Sequence, residues 1–330
     1  RSYNISVITH YNYQSLMDHI GSGKDWDLAR RSGGIKILPP YITAYANNVN
    51  SLYTTRLEAL KSVNYSISRI TDEYVVLSDC DVICNVDFND MIEYHKKSGA
   101  DMTFAVKNVE LTREKAKNNM LLTSDENGRI TDVLVYPTDF EGRADITLNM
   151  VVVNTSYLRQ IVTDSIAHDY KSLSRDIIAR NYKKMNYRVY RYDGYFACIS
   201  SFLDYYQHSM ELLSNAKARE MLFNVENRPV YTKVRNSTPT YYSDKSSIKN
   251  SMVADGSYIE GTVENSIIFR GVKVGRNATV KNSILMQDTI VGDGAFLNYV
   301  ITDKNVVLRE GLMLCGADSQ PFYVAKGKML

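Results

Sequence analysis

The chain has 330 residues and a formal net charge of +2, with acidic and basic residues spread along its length. This length exceeds one ordinary hydrophobic core, and the even charge leaves no basic stripe of the kind that nucleic-acid-binding proteins need. The longest apolar runs are strand-sized, far below the roughly 20 residues that cross a bilayer, and no charged-then-apolar leader opens the chain. We therefore expect a soluble, cytoplasmic protein with neither nucleic acid nor membrane as a partner.

The first part of the chain alternates short strands with helices. Residues 5–9 and 35–38 have the β-branched character of strands, whereas residues 13–20 and 52–63 have helical spacing. The apolar run of residues 74–78 is typical of a fully buried strand in a parallel sheet.

The alternation continues along the chain. Residues 88–97 form an amphipathic pattern that ends at Gly99, and residues 102–106 read as the next strand. Residues 120–123 and 130–135 are predicted to pair as a hairpin across an Asp-Glu-Asn-Gly turn. This order predicts an α/β fold, a doubly wound Rossmann-like sheet whose ligands lie beyond the carboxyl ends of its strands.

Two carboxylates stand at one such strand end. Asp79 and Asp81 follow the predicted strand at 74–78, with Cys80 between them. Carboxylate oxygens are the ligands that magnesium prefers beside polyphosphate. Since Asp side chains also cap turns, the pair alone leaves a metal site and a structural cap as equal alternatives.

The last third of the chain repeats itself. Similar six-residue segments begin at Ile248, Val263, Val280 and Leu297, which are 15, 17 and 17 residues apart, and aliphatic residues recur at every sixth position between them. This period is typical of a left-handed parallel β-helix of the hexapeptide type. We therefore predict an α/β domain over residues 1–215, a linker over 216–245 and a β-helix over 246–330.

The combination of these features resembles a known family. Residues 74–77, 80–83, 86–88 and 91–95, followed by the β-helix, are similar to the bacterial glucose-1-phosphate adenylyltransferases (ADP-glucose pyrophosphorylases). That resemblance covers nearly the whole chain and implies a sugar-nucleotidyltransferase domain followed by a left-handed β-helix. It also implies the reaction of ATP with glucose 1-phosphate to give ADP-glucose and pyrophosphate in glycogen biosynthesis. By the same resemblance, roughly 50 residues should precede residue 1, and they should include a glycine-rich loop that binds the nucleotide.

The chain departs from the family pattern at three sites. One metal-site aspartate matches Asp81, but Cys198 stands where the second belongs, and a thiol is a poor ligand for magnesium. Val135 and Tyr136 replace the Glu-Lys of the motif that meets the sugar phosphate. Arg56 and Leu57 lie in a run where the family has small residues that allow close approach of the nucleotide.

These departures point to a chain that is inactive by itself. The pattern resembles the second, D-type subunit that some Gram-positive bacteria produce beside the catalytic one. We therefore expect a regulatory subunit with no cofactor or metal of its own, a vestigial Asp81, and a catalytic adenylyltransferase as partner in a heterotetramer. Association with itself in the absence of that partner stays open.

Two alternatives follow from the same residues. An active adenylyltransferase would need Asp79 or Asp87 to supply the missing carboxylate to magnesium. A β-helical acyltransferase would need a histidine of the β-helix as general base, and no histidine follows His208.

Regulation in the resembling family comes from phosphorylated sugars and related anions, bound between the two domains. Such a site needs cations from both domains. The resemblance makes Lys24, Arg30 and Arg31 candidates from the first domain, with Lys326 from the second.

Overall fold

The computed structural model describes residues 4–10, 12–30, 33–40 and 53–330. The described residues divide into two units. The first lies within Arg1–Val82, Val86–Phe196 and Val230–Lys233, and the second comprises Ile83–Asn85, Ala197–Pro229 and Val234–Leu330. Within the described part of the chain, no helix has both the length and the apolar character needed to cross a bilayer.

The strands up to residue 198 are β1 (Asn4–Ile8), β2 (Gly34–Leu38), β3 (Tyr74–Ser78), β4 (Val82–Cys84), β5 (Met102–Leu111), β6 (Met120–Ser124), β7 (Ile130–Val135), β8 (Gly142–Asn154), β9 (Tyr187–Arg191) and β10 (Phe196–Cys198). The helices of this part are α1 (Gln14–Ile20), α2 (Arg56–Ser62), α3 (Asn64–Ser68), α4 (Phe88–Ser98), α5 (Arg113–Ala116), α6 (Thr155–Ala167) and α7 (Ala179–Asn181). A 3₁₀ turn at Lys24–Trp26 and a π-helix at Leu173–Ile178 complete it. The predicted start of a helix at Leu52 lies outside the described residues.

A mixed sheet forms the centre of the first unit. Among the described residues, β7, β6, β8, β5 and β9 are neighbours in that order, and β3 also pairs with β8. β8 runs antiparallel to β3, β5 and β6, whereas β5 and β9 are parallel. The parallel, fully buried environment predicted for residues 74–78 is therefore wrong: β3 is half-buried and pairs antiparallel with β8.

Helices cover both faces of this sheet. Phe104 packs in a core with Leu57 of α2 and Leu158 of α6. The neighbouring Thr103 instead contacts His95 of α4, with 2.7 Å between Oγ1 and Nδ1. Because successive residues of a strand point to opposite faces, α4 lies on the face opposite α2 and α6. The predicted α/β class is confirmed.

The second unit contains helices α8 (Phe202–Ser214) and α9 (Ala216–Phe223) and fifteen short strands, all within the continuously described residues 53–330. The strands are β11 (Tyr241–Tyr242), β12 (Ser247–Lys249), β13 (Met252–Val253), β14 (Tyr258–Ile259), β15 (Thr262–Glu264), β16 (Ile267–Ile268), β17 (Lys273–Val274), β18 (Thr279–Lys281), β19 (Ile284–Leu285), β20 (Ile290–Val291), β21 (Phe296–Asn298), β22 (Val300–Thr302), β23 (Val307–Leu308), β24 (Met313–Cys315) and β25 (Phe322–Val324). The predicted linker, 216–245, thus holds a helix and the first strand of the solenoid.

These strands form three parallel sheets of five strands each, the walls of a left-handed β-helix. Along one wall Ile248, Val263, Val280 and Leu297 are aligned in successive coils, as the repeat predicted. Val263, Val280 and Leu297 are fully buried. No coil buries its own apolar face, so each coil is stabilised by the coils above and below it.

A short excursion of the chain joins the second unit. Residues 83–85 belong to it, although the residues on either side belong to the first. The Asn85 side-chain amide donates to the carbonyls of Leu222 and Arg228, at 2.8 and 3.0 Å, and Arg228 Nη1 donates to the Asn85 carbonyl at 2.8 Å. These three bonds attach the excursion to the last turn of α9 and to the segment that follows it.

Candidate functional site

The first candidate site lies where β3 ends and α2 begins. Thr55 caps α2: its hydroxyl accepts from the backbone N–H of Glu58, and the Glu58 carboxylate accepts from the N–H of Thr55, both at 3.2 Å. This capping box satisfies N–H groups that the first turn leaves without helical partners. Arg56 is therefore held as the first residue of a well-defined helix.

The Arg56 side chain binds the first of the two aspartates. Its Nε and Nη2 both donate to Asp79 Oδ1, at 2.9 and 2.8 Å. Nη2 also donates to the carbonyl of Asn149, at 2.6 Å, and the Asp79 amide donates to the same carbonyl at 3.3 Å. One guanidinium thus links the start of α2, the end of β3 and the middle of β8.

The Asp79 carboxylate is subject to opposing electrostatic influences. Burial raises the pKa of Asp79, the Arg56 guanidinium opposes that rise, and the negative charge of Asp81 adds to it, so that the net shift is upward. A carboxylate in this position needs its counter-ion to stay ionised. Arg56 provides a fixed positive charge at the place where a metal ion would otherwise do so.

The carboxylates that could replace the missing ligand are already engaged. Asp79 is paired with Arg56. Asp87 caps α4, with Oδ1 accepting from the N–H groups of Asn89 and Asp90 at 2.9 and 3.3 Å. The rescue that the active-enzyme alternative requires would have to break one of these arrangements.

Cys198 ends β10 as a half-buried thiol, and β10 pairs with β4. Asp81 belongs to the first unit and Cys198 to the second. Of the residues that the structure describes, no group of three His, Cys, Asp or Glu side chains is arranged to hold a metal ion. A thiol is a poor ligand for magnesium, which takes hard oxygen ligands.

The second predicted site element lies at the end of β7. Val135 is the last residue of that strand, and Tyr136 follows with a left-handed backbone, φ 55°. The Arg175 guanidinium carbon lies 5.7 Å from the centre of the Tyr136 ring, within cation–π range. No sequence pattern indicates this contact, because residues 136 and 175 are 39 positions apart in the chain.

The predicted effector residues are divided between the units. Lys24 is exposed in the 3₁₀ turn, and Arg30 pairs with Asp27, with 2.7 Å between Nη2 and Oδ2. Lys326 is exposed in the second unit, and Arg31 lies outside the described residues. Arg30 would have to exchange its Asp27 partner for an anionic ligand.

Comparison with known proteins shows the family to which the chain belongs. Residues 238–326 match a family model described as GlmU-like, C-terminal hexapeptide. The glycogen biosynthesis protein GlgD of Bacillus subtilis is 31% identical over 324 residues, which cover 98% of this chain and 82% of that protein. The glucose-1-phosphate adenylyltransferase of Halalkalibacterium halodurans is 30% identical over 280 residues, which cover 83% of this chain and 70% of that enzyme. This chain belongs to the glucose-1-phosphate adenylyltransferase family, which includes GlgD.

Membership of the adenylyltransferase family confirms the resemblance predicted from the sequence. The glucose-1-phosphate adenylyltransferase of Geobacillus stearothermophilus is more distant, at 27% identity over 83% of this chain and 70% of that enzyme. The hexapeptide match covers the solenoid seen in the structure. The family thus accounts for both domain types and for their order along the chain.

Proposed function

We propose that this chain is a regulatory, non-catalytic subunit that acts with a catalytic glucose-1-phosphate adenylyltransferase in glycogen biosynthesis. The observation that carries the proposal is the Arg56–Asp79 pair, with its two contacts at 2.8 and 2.9 Å. It places a permanent cation against one carboxylate of the Asp79–Asp81 pair. A large side chain also occupies a position where the family has small residues.

The chemistry of the family explains why this matters. In the adenylyl transfer, a phosphate oxygen of glucose 1-phosphate bonds to the α-phosphorus of ATP while the bond to pyrophosphate breaks. Charge builds up on the phosphoryl oxygens, and stabilising that charge supplies several kcal/mol of the catalysis. Arg56 already holds Asp79, and Cys198 offers a thiol in place of a carboxylate, so this chain keeps only part of the set of oxygen ligands that magnesium would need.

The residues at the position of the family's sugar-phosphate motif support the same conclusion. Val135 and Tyr136 offer neither the carboxylate nor the ammonium of the family motif, and a lysine at that point would meet the phosphate as a compact point charge. The cation seen nearby, Arg175, faces the Tyr136 ring. Losses at separate substrate contacts favour inactivity over a changed ligand preference.

The β-helix supports the regulatory half of the proposal. Aliphatic side chains that face its interior are buried in successive coils. Val274, Val291 and Leu308, which are aligned along one wall, are each about 1% exposed. A scaffold that is preserved beside an altered site favours a role in assembly. Coupling between the subunits of about 1–3 kcal/mol would change the catalytic partner's affinity for its ligands by about 5- to 150-fold.

The test is to measure ADP-glucose formation by the purified chain, by a catalytic adenylyltransferase of the same organism, and by their mixture. The proposal expects no product from this chain alone and an altered rate or activator response in the mixture. Formation of ADP-glucose by the chain alone, at a rate like that of the catalytic subunit, would instead support the active-enzyme alternative. If the mixture behaves as the sum of its parts, the regulatory half of the proposal is wrong.

A further inference from the structure

We propose that a cavity at the hairpin of the first unit binds a small phosphorylated metabolite that carries hydroxyl groups. The cavity, of about 550 Å³, is called the hairpin pocket. Its lining residues are Tyr94, Lys97, Ser98, Asp125, Asn127, Arg129 and Arg188. A volume of this size lies in the range of small-molecule sites. The pocket is separate from the Arg56–Asp79 site, and the proposal does not depend on the function proposed above.

Three cations from three different elements line the pocket. Lys97 comes from the last turn of α4, Arg129 from the residue before β7, and Arg188 from β9. Among the residues that line the pocket, Asp125 is the one carboxylate. Three cations facing one cavity with a single carboxylate leave an excess of positive charge, and an anion placed among them relieves the repulsion between them.

The walls of the pocket are held by hydrogen bonds. Arg188 Nε donates to Asn186 Oδ1 at 2.9 Å, and its Nη1 donates to the Asn127 carbonyl at 2.7 Å. Arg129 forms an isolated antiparallel bridge with Arg188 through the backbone. These contacts fix the hairpin against β9, so a ligand would not have to order the arginines first.

The negative end of α4 does not oppose an anion in this position. The last carbonyls of a helix carry partial negative charge. Here the Asn186 amide donates to the carbonyls of Ser98 and Gly99, at 3.2 and 2.8 Å, and Lys97 stands in the same turn. The Ser98 and Gly99 carbonyls are therefore engaged by Asn186.

The remaining lining groups suit hydroxyls. Asp125 Oδ1 accepts from the backbone N–H groups of Asn127 and Arg129, at 2.9 and 2.8 Å, and Asp125 also lines the cavity. Tyr94 closes another side: a Cβ built on Gly128 would lie 2.7 Å from its hydroxyl. An acceptor, an amide and two hydroxyl groups beside three cations match a sugar phosphate better than a bare anion.

The experiment is calorimetric titration of the whole chain with glucose 6-phosphate, glucose and inorganic phosphate in separate runs. We expect saturable binding of glucose 6-phosphate, at least tenfold weaker binding of phosphate, and no binding of glucose. Lys97→Gln with Arg129→Gln should weaken glucose 6-phosphate binding by about 100-fold, since each charge-assisted contact contributes about a factor of ten. The matched control, Lys36→Gln with Lys117→Gln, removes the same charge from exposed positions outside the pocket and should change the affinity less than threefold.

Four results would overturn the proposal. The first is the absence of glucose 6-phosphate binding to the unaltered chain, and the second is unchanged binding in the Lys97→Gln/Arg129→Gln variant. The third is loss of binding in Arg175→Gln, which would place the phosphate beside Tyr136 instead. Thermal melting of each variant shows that it is folded, and equal affinities for phosphate and glucose 6-phosphate would refute the assignment of a hydroxylated ligand.

Discussion

Replacing Arg56 by methionine removes the guanidinium while keeping most of the side-chain volume. The change breaks two contacts to Asp79 and one to the Asn149 carbonyl, at 2.6–2.9 Å. Hydrogen bonds to charged groups contribute about 1.5–3 kcal/mol each, but the Asp79 side chain is 40% exposed, so solvent screens part of this energy. We expect the free energy of unfolding of the first unit to fall by about 2 kcal/mol.

Urea unfolding followed by tryptophan fluorescence measures this loss. Trp26 is the only tryptophan of the chain and lies in the first unit, 5.4 Å between ring centres from His19. With a urea slope of about 2 kcal/mol per molar, the midpoint should fall by about 1 M. Asp79→Asn and the double variant complete a cycle, in which we expect a coupling of about 1 kcal/mol or more.

The loss of stability caused by Arg56→Met should also depend on pH. Arg56 holds down the pKa of Asp79, which burial raises. At neutral pH the carboxylate is charged and needs its partner, whereas at acid pH it is protonated and the pair contributes little. The loss in Arg56→Met should therefore shrink as pH falls through the titration of Asp79. A coupling below about 0.3 kcal/mol at pH 7, or an equal loss at pH 3 and pH 7, would refute the reasoning.

Three further changes test the rest of the structure. Cys198→Asp with Val135→Glu and Tyr136→Lys should raise the affinity for glucose 1-phosphate at least tenfold in equilibrium dialysis, and an unchanged affinity would mean that the correspondence with the family motifs is wrong. Burial lowers the pKa of His95, so the unfolded chain binds its proton more readily, and the stability that His95 contributes is lost as pH falls below about 6.5. His95→Gln should flatten that part of the pH–stability curve, and an unchanged slope between pH 5 and 7 would exclude His95 as its cause. Gly275→Ala should destabilise the β-helix by about 1–3 kcal/mol, because the new Cβ would lie 2.8 Å from the Asp293 backbone N, and a circular-dichroism melt equal to that of the unaltered chain would contradict this steric account.

The solenoid could be predicted in detail because its six-residue repeat depends only on residues that are close together in the chain. Each short strand points one aliphatic residue inward, so a period of six fixes both the core and the register. The pairings of Val263 with Val280 and of Val280 with Leu297 follow directly. Nothing about distant parts of the chain was needed.

The central sheet was harder because its pairing is not local. Residues 142–154 form the longest strand among the described residues, yet polar Asp145, Thr147 and Asn149 interrupt its apolar pattern. Without this strand, β3 had no antiparallel partner and its run of apolar residues favoured a parallel sheet. The strand itself decides the topology, since it pairs with β3, β5 and β6.

The candidate site was predicted by residue type but not by contact. Asp79, Asp81 and Cys198 were all singled out from motifs, and Arg56 was noted for its size. The ion pair between Arg56 and Asp79 joins residues 23 positions apart, and no sequence pattern encodes that distance. No sequence pattern indicates the hairpin pocket either, because its three cations come from separate elements of the chain.

Because residues 83–85 belong to the second unit, they limit how the protein can be divided into fragments. A fragment that begins at Ala197 would keep the helices and every coil of the solenoid but would lose Asn85 and the three hydrogen bonds that it shares with Leu222 and Arg228. A single cut therefore cannot yield both units whole. Chimeras that exchange the solenoid between relatives would need residues 83–85 to come from the same parent as residues 197–229.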